Sequence, residues 1–532
     1  MPALTFLGHA GLRVQARRFR LLADPWFART GAFLGAWHQF PRNDHLDCPG
    51  LLDVDWVAVS HEHLDHMDLS VLSRLPPHTR VLIPRYPGPA FRERLRAAGV
   101  GRVIELEPWR PFPLDDQGSW IAAIPEQSPM CHDSALLIVA DGHAVLDCND
   151  ARLTAAQARR AKHLAGGRLD VMTVQTAGAS WHPICYSYPP EVRARIEAEK
   201  RIGKFRAVLR LVRATGPELA VPFAGPACFL DADLRAFNGS IREPGVFPDN
   251  EQATAWLTEH LPGQRWACFR PGDVLDLATG AVVADAVSAR FSYTEGLDEY
   301  LERYAADRAA DLELVRAAAP EPGPGFGAVF AAHFSRLGAL SPYFLERIGM
   351  TVRFRVTGPN GGDWDVRLDA DGARVDLTGR AAAPAYTFTV EGRWLAAVLS
   401  GSISWEDLLL SLRLTAHRDP DRYNDYLIGL LKHAEEQALR AVEAYETGRD
   451  RDERITITAG DRVYKVGRYC PHAGEDLALG AVVDGTTLHC LAHNFAFDLE
   501  TGECLNARCD PLAVSAPERG APAGAGPYRP AP

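Results

Sequence analysis

Two short cysteine–histidine motifs near the C-terminus constrain this chain more than any other feature. Cys470-Pro471-His472 is followed, after seventeen intervening residues, by Cys490-Leu491-Ala492-His493. Two thiolates and two imidazoles are thereby presented on two loops. That donor set suits a [2Fe–2S] cluster in which two Cys hold one iron and two His hold the other. Spacing alone also permits a single tetrahedral zinc. The run Phe497-Asp498-Leu499-Glu500-Thr501-Gly502 reads as a strand and turn behind the second loop, which favours the cluster.

A second metal pattern lies roughly four hundred residues upstream, in His61-Glu62-His63-Leu64-Asp65-His66. His61 and His63, on alternate positions, can face one ion, and Asp65 and His66 a second. A carboxylate suits a hard or borderline ion, and imidazole suits iron or zinc. The donors therefore suit one or two ions of iron or zinc. A net charge of −11 and a pI near 5.9 argue against binding to nucleic acid or an anionic membrane. No apolar run approaches a membrane span, and the N-terminus lacks a basic leader. Ten cysteines, scattered rather than arrayed, fit a reducing compartment, so a cytoplasmic protein is expected, with Cys504 and Cys509 as free thiols.

The chain divides by composition. Residues 1–285 alternate strand patterns with helical ones, among them Leu4–Leu7, Phe19–Ala23, Trp56–Ser60, Trp120–Ile124 and Ala135–Val139, then Ala155–Ala165 and Glu191–Thr215. The strand at Trp56–Ser60 ends at the histidine motif, which places the ligands on a loop at a strand end. This alternation predicts an α/β fold, an αβ/βα sandwich. An Ala/Pro/Gly run at 317–325 reads as a linker. Residues 286–447 predict a helical connection and a small α+β unit, similar to a sterol carrier. Its strands are expected to pair antiparallel and to be followed by helices over Arg393–Leu414 and Asp421–Thr447. An all-β segment is expected at 454–515 and a disordered tail at 516–532.

The His-x-His-x-Asp-His motif resembles the metallo-β-lactamase fold, and Gly8-His9-Ala10 and Asp24-Pro25-Trp26 match the opening of its ascorbate-lactonase-like branch. That resemblance implies further ligands at later strand ends. Asp150 sits where the fold places its metal-bridging carboxylate; Asp147 competes, but Asp150 lies nearer the expected loop start. His132 or Glu126 would be the third ligand of the first ion. The usual last histidine is missing from Val221-Pro222-Phe223-Ala224-Gly225-Pro226, with His182 as a replacement or a pocket residue.

The cysteine–histidine pair resembles a Rieske domain. Together with the upstream motif it is similar to the CMP-N-acetylneuraminate hydroxylase family. Short matches in order, at 24–26, 60–66, 222–225, 270–277 and 418–423, extend that likeness over roughly residues 4–430. One departure is that the Rieske segment of that family precedes the metal domain, whereas here it follows. The resemblance implies Cys470 and Cys490 on the inner iron and His472 and His493 on the outer, with Phe495 and Phe497 beneath. It further implies iron held by His61, His63, Asp65, His66 and Asp150.

Three readings follow. The first is a Rieske-containing non-haem iron monooxygenase that hydroxylates a polar, sugar-like or amino-bearing small molecule with O₂. Its electrons would come from a donor such as a ferredoxin or ferredoxin reductase. The second is a zinc hydrolase of the lactonase or phosphodiesterase kind with an accessory Rieske module, and the third a redox carrier that would leave the histidine motif without a task. The cluster and the metal centre would meet within one chain or across a homodimer.

Overall fold

The computed structural model describes residues 2–178, 180–242, 245–319, 321–381, 383–449, 452–515 and 518–519. The expected tail at 516–532 lies outside them except for the short strand Glu518–Arg519.

Residue alternation in the first strands explains the architecture. Side chains of a strand point to opposite faces, and here both faces are apolar. Leu21 and Ala23 enter one core while Leu22 enters another; Leu136 and Ile138 diverge from Leu137 in the same way. Two sheets buried on both faces must stack with helices outside. They do so as an eight-stranded sheet, containing Ala3–Gly8, Arg20–Ala23, Trp56–Ala58 and Arg80–Pro84, and a six-stranded sheet with Trp120–Pro125, Ser134–Ala140, His143–Asp147, Val171–Gln175 and Leu219–Phe223. Leu4, Phe6 and Leu82 meet Ile138, Val145 and Phe223 between the sheets. Outside, the helix Ala90–Ala97 covers one sheet through Phe91 and Leu95. The helices Ala155–Leu164 and Pro190–Thr215 cover the other through Ala158, Phe205 and Val208. Thr154 and Gln157 start the first of these with reciprocal side-chain caps. The chain thus contains the αβ/βα sandwich its sequence predicts.

The middle of the chain carries a five-stranded sheet whose core is rich in aromatic rings, including Phe330, Phe334, Phe354, Trp364, Phe388 and Trp405. Two expectations are corrected here. Met350–Thr357 pairs antiparallel with Gly362–Asp369 but parallel with Tyr386–Glu391. The helical run over Arg393–Leu414 is two helices, Gly392–Leu399 and Trp405–Leu410, followed by the strand Leu414–Arg418. Gly401, at φ 78, ends the first helix, and Ser404 caps a new one through Asp407. Strict buried–exposed alternation from Leu414 is the strand signature.

The last part holds two small antiparallel sheets around Tyr464, Leu488, Phe497 and Leu499. It is tied to the rest of the chain by the parallel pair Tyr423–Asn424 with Ala507–Arg508. A second tie is the ion pair of Arg210, on the long helix, with Glu475, between the two cysteine–histidine motifs; both side chains are buried. Arg210→Met leaves the Glu475 carboxylate buried and alone, which is expected to destabilise the fold by about 3–5 kcal/mol. A urea titration that shows an unchanged midpoint would refute this.

Candidate functional site

Five strand ends converge at one edge of the sandwich. Ala3–Gly8 delivers His9, Arg20–Ala23 delivers Asp24, Trp56–Ala58 delivers the histidine motif, and His143–Asp147 delivers the loop to Asp150. Asp133 stands just before Ser134–Ala140. Donor atoms form three overlapping groups, each within 4.8 Å: His61, His63 and Asp133; His61, His66 and Asp150; His9, Asp65 and His66. Asp150 therefore lies between the two halves of the motif, with Oδ2 3.7 Å from His66 Nε2.

Hydrogen bonds fix the tautomers. Asp24, fully buried, accepts from Ser60 N–H at 2.7 Å, from Ser60 Oγ at 2.5 Å and from His66 Nδ1 at 2.8 Å. His66 is thereby a donor at Nδ1, leaving Nε2 bare. Because the Ser60 hydroxyl proton goes to Asp24, its oxygen accepts from His61 Nδ1 at 2.9 Å, which bares His61 Nε2. His63 gives Nε2–H to Glu406 Oε1 at 3.2 Å, and its Nδ1 then faces His61 Nε2 at 2.8 Å. Two lone pairs converge, and only a proton or a cation between them relieves that. Burial acts to lower the His63 pKa, but the Glu406 carboxylate prevails and holds it up to about 9. Further buried ligand atoms make no hydrogen bond among the described residues, namely His9 Nδ1, Asp65 Oδ1, His66 Nε2 and Asp150 Oδ1, while His9 Nε2 stands 2.9 Å from Asp65 Oδ2. Polar atoms left this way are costly unless something binds them, and a mixed imidazole–carboxylate set fits iron or zinc.

Other sequence-predicted residues fall elsewhere. His132 stacks on Tyr86, centroids 4.7 Å apart, meets the tilted ring of His433 at 4.4 Å, and joins none of the three groups. Adjacent strand-end residues point to opposite faces, so Asp133 turns to the ligands and His132 away. Asp147 is held by Thr173 Oγ1 at 2.6 Å and by Asn149 N–H at 3.1 Å. His182 bonds Tyr188 Oη at 3.0 Å and stands 3.2 Å from an Arg418 nitrogen. The loop that lacks the usual histidine packs on His9, whose carbonyl accepts from Ala224 N–H at 3.2 Å. His9 thus brings an imidazole to that corner from a neighbouring strand, a position the Gly8-His9 strand end could have flagged.

Glu406 is the least legible contributor, because it lies 343 positions from His63 and on another sheet's helix. Lys432 Nζ stands 2.6 Å from the same carboxylate oxygen and holds it charged. A carboxylate behind a ligating imidazole sets ring orientation and basicity. Glu406→Gln is accordingly expected to weaken ion binding at His63 by about 10–100-fold, measured by competition with a chelator; unchanged affinity would remove Glu406 from the site.

In the C-terminal part, Cys470 and Cys490 are buried side by side, and burial raises Cys490 further after its contact with Cys470. The rings of His472 and His493 lie 4.7 Å apart, and Phe495 stacks on His472 at 4.0 Å. Both Nδ1 atoms are buried without a hydrogen-bond partner among the described residues. Both Nε2 atoms face carboxylates from outside this part: Asp425 Oδ2 at 2.9 Å from His472 and Glu126 Oε2 at 3.7 Å from His493. Two thiols and two bare imidazole nitrogens fit a [2Fe–2S] group of mixed ligation. Glu126, expected as a metal ligand, stands between the two centres. Its N–H donates to the Asp133 carbonyl at 2.9 Å, and its Oε1 accepts from Arg152 N–H at 2.6 Å. A cavity of about 350 Å³ opens on the Glu126, Tyr86 and His132 side.

The sequence profile described as the Rieske [2Fe-2S] domain matches residues 432–516. The C-terminal part is a Rieske domain. A Rieske 2Fe-2S iron-sulfur protein of Mycolicibacterium smegmatis is 29% identical over 522 residues, which span 95% of this chain and 98% of that protein. Cytidine monophosphate-N-acetylneuraminic acid hydroxylase of Danio rerio is 28% identical over 295 residues, 52% of this chain and 46% of its own length. The resemblance to that hydroxylase family is borne out. Among solved structures, CmlA, a diiron β-hydroxylase from Streptomyces venezuelae, covers 52% of this chain and 54% of its own at 18% identity and a TM-score of 0.35. The chain therefore joins an αβ/βα sandwich to a Rieske domain. No helix of the described residues is long and apolar enough to cross a membrane.

Proposed function

We propose that this protein is a Rieske-containing non-haem iron monooxygenase that hydroxylates a polar small molecule with O₂ and electrons from an external one-electron donor. The observation that carries this reading is the contact of His493 with Glu126. Glu126 links a cluster histidine to both loops that present Asp133 and Asp150: its carboxylate accepts from Arg152 N–H, and its backbone N–H donates to the Asp133 carbonyl. A hydrolase has no use for a redox group set against its metal loops. When bound, the two groups supply single-electron transfer and O₂ activation.

The protein's residues prepare the rest. His61, His63, Asp133 and Asp150 are the donors for one ion, and His9, Asp65, His66 and Asp150 those for a second. Asp24 and Ser60 hold the protons of His61 and His66 on Nδ1. Glu406 holds that of His63 on Nε2, and Lys432 keeps Glu406 ionised. Asp425 holds the His472 proton on Nε2, leaving Nδ1 for iron. Burial of His61, Asp65, His66 and Asp150 excludes bulk water from the edge where these donors meet.

Metal and sulfide analysis of anaerobically purified protein, with electron paramagnetic resonance after dithionite reduction, tests the reading. The expected result is iron beyond the two atoms of the cluster, with a Rieske-type signal. Zinc at the His61–Asp150 edge with no reducible cluster would transfer the case to the hydrolase.

A further inference from the structure

A second pair of thiols meets in the Rieske domain, outside both cluster loops. Cys504 and Cys509 are free in the structure, and their sulfurs are hydrogen-bond partners of one another. Cys504 is 3% exposed and sits in the domain core with Phe497 and Leu512, whereas Cys509 packs on that core half-buried. Residues 505–508 separate them, so the chain turns back between the two sulfurs. The contact with Cys509 holds the Cys504 thiol down to about 7; burial opposes it, and the N–H groups of Ala507 and Asn506 add to it. The same contact, and then burial, raise Cys509. Thiolate is the nucleophilic form of cysteine. One partner is thus prepared for oxidation and its neighbour to close the bond.

The segment between the two cysteines touches both the cluster and the middle of the chain. Asn506 Nδ2 donates to the Asn494 carbonyl at 2.8 Å, one residue past the cluster histidine His493. The Asn506 carbonyl accepts from Tyr423 N–H at 3.1 Å. Ala507–Arg508 then pairs with Tyr423–Asn424, and the next residue, Asp425, holds His472. Two-residue strands make a weak tie on their own. A covalent bond across the ends of this segment would remove its loose conformations.

We propose that Cys504 and Cys509 are an oxidisable dithiol whose disulfide, formed at the expense of hydrogen peroxide, staples the segment that ties the Rieske domain to the middle of the chain. The Cys504 sulfur attacks the peroxide: an S–O bond forms, the O–O bond breaks and one water leaves. The Cys509 sulfur then attacks the Cys504 sulfenic acid: an S–S bond forms, the S–O bond breaks and a second water leaves. Two thiols lose two electrons and two protons, and the peroxide takes them all. A thiol reductant restores the pair, so in a reducing compartment the bond is transient. The inference does not rest on the oxygenase reading.

The test is anaerobic treatment of the cluster-loaded full chain with equimolar hydrogen peroxide, followed by alkylation of the remaining thiols and peptide mass mapping. The expected product is a Cys504–Cys509 cross-link, lighter by two hydrogens and reversed by dithiothreitol. Amide hydrogen exchange at 506–508 and 423–424 should slow in the oxidised form. In Cys509→Ser, dimedone should trap Cys504 as its sulfenic acid; in Cys504→Ser neither the bond nor an adduct at Cys509 should form. Both thiols still open to alkylation after peroxide, or a disulfide that leaves amide exchange unchanged, overturns the proposal. The wild-type chain alone decides both points, so a variant that fails to fold leaves the test intact. Visible absorbance of the cluster in the same samples shows that Cys470 and Cys490 are not the source of the effect.

Discussion

Cys490→Ser is expected to remove the visible absorbance and the resonance of the [2Fe–2S] cluster, and with them all O₂-dependent turnover. The serine oxygen is a poor substitute for a thiolate, and the partner Cys470 alone cannot hold the inner iron. Iron at the His61–Asp150 edge should remain, because that site draws no donor from the Rieske domain. The variant thus separates the readings. A hydrolase with an accessory Rieske module keeps its activity in Cys490→Ser. An oxygenase retains ion binding and loses product. Turnover at the wild-type level in a cluster-free variant would end the oxygenase reading.

Asp150→Ala is expected to have the second largest effect and the opposite pattern. Asp150 lies in reach of His61 and His66, which belong to different halves of the motif. Burial raises its pKa, but the surrounding histidines prevail and hold it well below the usual carboxylate range. Removing it takes the one negative charge common to both halves and leaves His66 Nε2 facing a void. The variant should lose the non-cluster iron while keeping a normal Rieske signal, as metal analysis of the purified protein would record. Retention of that iron would show that Asp150 is not a ligand. Asp147→Ala is the control: its Oδ1 accepts from Thr173 and Asn149, and it joins none of the three donor groups, so metal content should be kept even if stability falls.

The parts of this organisation that were legible share a physical reason. Short, local patterns carry them: His-x-His-x-Asp-His on one turn, Cys-x-His and Cys-x-x-His on two loops, and two-faced apolar strands. The parts that were not legible depend on which way a side chain points or on contacts distant in sequence. His132 and Asp133 are neighbours, and only the pleat decides that Asp133 faces His61, 3.8 Å away. Glu126 offers an oxygen at the end of a strand, but its carboxylate turns toward His493, 367 positions away. Glu406, with Lys432 behind it, reaches His63 from helices that nothing in residues 1–285 announces. The helix misread at Leu414 has a simpler origin: Leu-rich composition outweighed a two-residue period.

The Asp24–Ser60–His66 network has a consequence for which element the protein carries. Ring orientation at His61 and His66 is settled during folding, before an ion arrives, so loading requires no rearrangement that could reject a wrong guest. A rigid pocket of nitrogen and oxygen donors ranks divalent ions by intrinsic affinity, in which iron(II) stands below zinc and copper. Occupancy will then follow supply. Protein from iron-poor and iron-rich cultures should differ in its upstream metal while sharing the same fold and the same cluster, and correct metallation becomes a property of the cell as much as of the chain.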